Sequence, residues 1–140
     1  MENISAKDYL SRAYRIDQRI NSKLEQVQAL RTLTEKAGVI LTGMPMGKGG
    51  NPQHMEDTIA KMVDLEADIN KDLKRLVDTK HEIITVIQCV EIVQLQMLLE
   101  LRYLNFMGWE QIADGMSVNL RHVFKLHGKA LAEIDTIRRT

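Results

Sequence analysis

The chain has 140 residues in which 19 lysines and arginines balance 19 acids, so it carries no overall basic signature; its length suits one domain, or a small domain with an extended helical arm, burying a modest core. A single cysteine, Cys89, rules out an internal disulfide framework, fits a reducing compartment, and is expected to pack as a small apolar residue in a helix. The N-terminus lacks the basic start and apolar core of a secretory signal, and no apolar run approaches the roughly 18 residues of a membrane span, so a cytoplasmic protein with no membrane partner is expected.

Helical periodicity runs through almost the whole sequence. The two prolines both fall in one segment, strand-like alternation is absent, and the pattern predicts an all-α fold. The first helix is predicted from about Ala6 to Ala37. Leu10, Ala13, Ile16, Ile20, Leu24, Val27, Leu30 and Leu33 recur every three or four residues and share one face. Ser5 with Asp8 forms a start signal, a side-chain cap followed by an acid in the first turn. The opposite face carries Arg12, Arg15, Arg19, Lys23 and Arg31, bases that could touch phosphate but that read first as the ordinary solvated face of a coiled-coil-like helix.

Residues 43–52, rich in glycine and holding both prolines, break the pattern and connect two helices. Gly43, Gly47 and Lys48 resemble a phosphate-cradling loop only superficially. The spacing is one residue short, Gly49 stands where a magnesium-binding hydroxyl belongs, and no strand precedes it.

A second stripe follows: Ile59, Met62, Ile69, Leu73, Leu76, Ile83, Ile87, Val90, Met97, Leu101 and Leu104. Polar Glu66, Lys80 and Gln94 interrupt its register, which favours an antiparallel intrachain helix pair over a long uninterrupted zipper. A break between Ile87 and Leu95 is needed if the C-terminal part is to form a compact module. The expected organisation is therefore a long N-terminal helical hairpin over residues 1–87 and a separate module over 88–140.

The C-terminal module carries the functional signal. Two short helices meet at a tight turn formed by Ser117, Val118 and Asn119. The first puts Ile112 and Met116 on an apolar face, with small Ala113 where its partner crosses. Asn119 is a good N-cap for the second, in which Val123, Leu126 and Ala130 turn inward while Arg121, Lys125 and Lys129 repeat every four residues outward. An apolar inner face and a basic outer face are what a helix-turn-helix needs to lie in a major groove. Ser117 occupies a position where glycine is usual, at a cost of roughly 1–2 kcal/mol at most. Charge supports the reading: between Gln88 and Met116 the acids Glu91, Glu100, Glu110 and Asp114 outnumber Arg102, whereas beyond Ser117 the bases Arg121, Lys125, Lys129, Arg138 and Arg139 outnumber Glu133 and Asp135. A helical pair that merely completes a core satisfies the same spacing.

The runs Leu98-Leu-Glu-Leu-Arg-Tyr-Leu104, Trp109-Glu-Gln-Ile-Ala113 and Leu126-His-Gly-Lys-Ala-Leu131, with Val123, resemble the C-terminal part of small phage and prophage proteins of Gram-positive bacteria. The upstream Met46-Gly-Lys-Gly-Gly-Asn-Pro52 and Met55-Glu-Asp-Thr-Ile-Ala-Lys61 segments are similar to the same proteins. The resemblance is to ArpU-type phage transcriptional regulators, whose last third is similar to region 4 of sigma factors. It implies a sequence-specific regulator of phage or prophage genes, acting on double-stranded DNA in a bacterial host cell. The residues it places against DNA are Asn119, Leu120, Arg121, Phe124 and Lys125, with His122 and Lys129 at the edges. Phe124 departs from the polar or basic residue expected there; an apolar side chain can meet a thymine methyl or pack on protein. His127 is expected to be a satisfied edge residue and Gly128 to permit close helix approach.

RNA polymerase and a second copy of the chain are further candidate partners. A DNA-recognition subunit for phage packaging, or a helical adaptor for RNA polymerase or a sigma factor, would use the same elements. No enzyme activity, cofactor or metal is expected: the carboxylates alternate with bases as on solvated helix faces, and His122 and His127 stand five apart where a helical metal pair needs three or four.

Overall fold

The computed structural model of the protein describes residues 4–43 and 52–140, and among these it is all-α. The helices are α1 (Ala6–Leu10), α2 (Arg12–Gly43), α3 (Pro52–Ile87), α4 (Val93–Leu99), α5 (Trp109–Met116) and α6 (Leu120–Arg139), with a π-helical turn, Glu100–Leu104, continuing α4. Apart from Gly43 and Pro52, the glycine-rich connector lies outside the described residues. No described helix is long and apolar enough to cross a membrane.

The chain forms two compact units: one made of residues 1–16 and 75–140, the other of residues 17–74. Their limits differ from the expected division at residue 87, because the last turns of α3 join the C-terminal core. That core gathers Ala6, Leu10 and Ala13 from the start of the chain, Ile83 and Ile87 from the end of α3, and Leu95, Leu98, Leu99, Ile112, Val123, Leu126, Ala130 and Ile134 from the later helices. Leu10, Ile83, Ile87, Leu98, Leu99, Ile112 and Ile134 are fully enclosed; such burial is worth roughly 1.5–3 kcal/mol for each large aliphatic side chain.

The N-terminal helix begins as the sequence suggests, with Ser5 Oγ accepting the Asp8 N–H at 3.1 Å. A turn at Ser11 separates α1 from α2, and the Ser11 hydroxyl donates to the Lys7 carbonyl at 2.6 Å. Nearby, the Tyr9 ring lies between two guanidinium groups, Arg12 at 4.3 Å and Arg138 at 4.2 Å. The Tyr9 hydroxyl donates to Glu82 Oε1 at 3.1 Å, Arg12 pairs with the same carboxylate at 3.2 Å, and Arg138 donates to the Ile4 carbonyl at 3.0 Å. Arg12 and Arg138 thereby close the fold instead of extending a solvated basic face.

In the second unit, α2 and α3 meet through Lys23 with Asp72 and through Thr34 with Met62, so late residues of one helix oppose early residues of the other. The inner face of α2 runs Ile20, Lys23, Val27 and Leu30, not through Leu24 and Leu33, which are exposed. Ile59 and Leu73 are likewise exposed on α3, as is Met97 on α4. Lys23, expected to face solvent, instead places Nζ 2.6 Å from the carboxylate of buried Asp72. A seam containing an ion pair shifts the apolar stripe sideways, which apolar spacing alone cannot reveal.

The break expected after Ile87 is present: α3 ends there and α4 starts at Val93. Cys89 lies in this connection and is exposed, its thiol 3.5 Å from the Thr85 carbonyl, and does not pack as an apolar helix residue. The helix that would have buried it has already ended.

Candidate nucleic-acid interface

Local chemistry dictates how α5 hands the chain to α6. Gln111 Oε1 reaches back to accept the Gly108 N–H at 3.1 Å, holding the first turn of α5. At the other end Ser117 is left-handed, with φ 58° and ψ 41°. Its N–H bonds to the Asp114 carbonyl at 3.2 Å while the Val118 N–H bonds to the Ala113 carbonyl at 3.1 Å, the paired bonds that close a helix around a left-handed residue. Asn119 then starts α6: its Oδ1 accepts the His122 N–H at 2.7 Å. The three-residue turn thus lies where the sequence places it, and Ser117 adopts the conformation that usually selects glycine.

Beyond the turn, Val123, Leu126, Ala130 and Ile134 seal the inner face of α6. All seven residues assigned to the outer surface, Asn119, Leu120, Arg121, His122, Phe124, Lys125 and Lys129, are exposed. At about 100° per residue, Arg121 and Lys125 occupy the middle of that surface, His122 and Lys129 one edge, and Leu120 and Phe124 the other. The ion pairs seen among the described residues use none of Arg121, Lys125 and Lys129. Exposed cations with no acid partner leave their charge available to an anion.

Gly128 also lies on the outer surface. A Cβ built there meets nothing within 4 Å, so its smallness does not serve packing of α6 on its neighbours, contrary to expectation: the inner positions are taken by Leu126 and Ala130.

An aromatic cluster supports the α5–α6 seam. Trp109 meets Phe124 at a centroid distance of 5.3 Å and His127 at 4.6 Å, both near edge-to-face. The Arg102 guanidinium caps the indole at 4.3 Å and donates to the Met107 carbonyl at 3.0 Å. His127 Nε2 stands 2.6 Å from the Tyr103 hydroxyl, so it is satisfied, as expected for an edge histidine. Burial, aided by the charges of Lys7 and Arg102, lowers its pKa from 6.5 to about 4. Burial raises Tyr103 to about 12 against the weaker pull of Arg102. Both groups are neutral at pH 7.

Sequence spacing did not expose this cluster. A signal was available: every aromatic residue of the chain falls outside residues 17–74, which marks the first unit as the one with a specific core. Phe106 was equally hidden. It takes a positive φ of 57° without being glycine, its ring held against Tyr14 at 5.5 Å and beneath the Lys80 ammonium at 4.7 Å.

Compared with known proteins, residues 43–135 match the model of a family described as a protein of unknown function, DUF1492. No curated protein and no solved structure matches.

Proposed function

The chain belongs to the DUF1492 family, and we propose that it is a sequence-specific double-stranded DNA-binding protein with α6 in the major groove, a reading drawn from its own residues, and that it regulates phage or prophage transcription, as its resemblance to phage regulators implies. One observation carries this reading: Arg121, Lys125 and Lys129 are exposed along one surface of a capped helix that follows a tight turn, and the ion pairs seen among the described residues involve none of them. Phosphate neutralisation by such side chains gives affinity that falls steeply with salt, while the first turns of a groove-bound helix reach base edges. The test is fluorescence anisotropy with DNA from the gene's own neighbourhood and with scrambled duplex, at low and physiological salt. Preferential binding that persists at physiological salt supports the reading. Unchanged affinity and salt slope in Arg121→Ala/Lys125→Ala removes the groove assignment.

A second reading is favoured by the apolar exposure of Ile92, Val93 and Met97 around α4 and of Leu120 and Phe124 on α6. A helical adaptor for RNA polymerase or a sigma factor would cover such residues. Its mark is a stable complex with that protein and no binding to duplex DNA at physiological salt.

A further inference from the structure

On the outer surface of α6, Leu120 and Phe124 remain 37% and 48% exposed, one helical turn apart and beside cations that take part in none of the ion pairs seen among the described residues. We propose, resting on the duplex-DNA reading above, that Phe124 is a specificity-determining residue that recognises thymine through its C5-methyl group, with Leu120 extending the same apolar edge. The partner of this edge must satisfy two chemistries at once. It must be anionic where Arg121 and Lys125 project, and apolar where Phe124 projects, about 60° around the helix axis from Arg121. A B-form major groove meets both demands: phosphates line its walls, and the thymine methyl is the apolar group among its base-edge donors and acceptors.

The phenyl ring is also held in place. Trp109 contacts it near edge-to-face at 5.3 Å, and Trp109 is itself fixed by Arg102 at 4.3 Å and His127 at 4.6 Å. A ring supported from behind loses little freedom on binding, which makes a small apolar contact count toward selectivity. The inner surface of α6 is already filled by Val123, Leu126 and Ala130, so the exposed part of the ring is free for an external contact.

The experiment uses the full chain and a pool of random-sequence duplexes. Selection at physiological salt is expected to enrich a site with thymine at one or more fixed positions. The enriched duplex is then made with uracil in place of those thymines, which removes the methyl and leaves the base pairing intact. The native protein is expected to bind the uracil duplex about fivefold more weakly, the size expected for losing one buried methyl. Phe124→Ala should bind both duplexes equally, and Phe124→Leu should restore part of the difference. Enrichment without fixed thymine, or equal affinity of the native protein for the two duplexes, overturns the proposal while leaving DNA binding intact. Retention of no duplex overturns the DNA reading and this proposal together. The uracil comparison needs no variant, so poor folding of Phe124→Ala cannot mask the outcome.

Discussion

The Tyr103 hydroxyl and His127 Nε2, 2.6 Å apart, tie the π-helical turn to the middle of α6. The bond joins two groups that are neutral at pH 7, because burial lowers the histidine to about 4 and raises the tyrosine to about 12. Protonating His127 in the folded state therefore opposes folding. The sign follows from proton uptake: below pH 6.5 the unfolded chain binds a proton that the folded chain refuses until about pH 4. Stability from this site is complete above pH 6.5 and is lost as pH falls toward 4. The loss is below ~3 kcal/mol because the ring is only partly enclosed. Thermal melts at pH 7 and pH 4.5 should show a larger drop for the native protein than for His127→Gln.

The left-handed Ser117 makes a prediction in the opposite direction. Its φ of 58° costs a residue with a Cβ about 1 kcal/mol relative to glycine. Ser117→Gly is expected to raise stability by up to that amount, offset in part by the greater freedom of glycine in the unfolded chain. Chemical denaturation should show a higher midpoint with an unchanged slope.

Lys23 and Asp72 form an ion pair in the α2–α3 seam, with Asp72 buried. Lys23→Ala leaves a buried carboxylate without this partner and is expected to destabilise by about 1–3 kcal/mol. The double variant Lys23→Met/Asp72→Leu should recover most of the loss, since apolar groups can fill the same seam without desolvating charge. Denaturant melts of the three proteins check both statements.

Gly128 sits in the interior of α6 with open space where its Cβ would be. Gly128→Ala is expected to raise stability by about 0.5–1 kcal/mol through helix propensity alone. The same variant should weaken duplex binding if the glycine lets a ligand approach the helix backbone. Melting temperature and anisotropy measured on one preparation check the two effects together.

Removing the Asn119 cap should cost about 1 kcal/mol, because its side chain accepts the His122 N–H that starts α6. Asn119→Ser should retain most of that stability and Asn119→Ala should not, a contrast that thermal melts can measure.

These positions also show which features a sequence can disclose. Asn119 and the turn around Ser117 were legible because their chemistry is local: capping and left-handed geometry involve neighbours within five residues. The exposed series Arg121, Lys125, Lys129 followed from helical period alone. Lys23 was misplaced because its partner Asp72 lies 49 residues away, where periodicity has no reach. Phe106 gave no sign, since a positive φ normally announces itself through glycine. The aromatic support of Phe124 escaped because Arg102, Tyr103, Trp109 and His127 converge from three separate segments. The expected boundary at residue 87 differed from the observed units for a similar reason: Ile83 and Ile87 belong by periodicity to the long helix and by contact to the C-terminal core.

The hydrogen bond from Arg138 to the Ile4 carbonyl joins residues 134 positions apart, and Ala6, Leu10 and Ala13 share a core with Ile134. During synthesis, the contiguous residues 17–74 can pair their helices soon after they emerge, while the earlier Ala6–Ala13 segment must wait until α6 has been made. Pairing across that span is non-local and costs more loop-closure entropy than pairing α2 with α3. A nascent chain interrupted before Ile134 lacks part of the core on which α6 rests, so the basic surface becomes ordered only after Ile134 has been added.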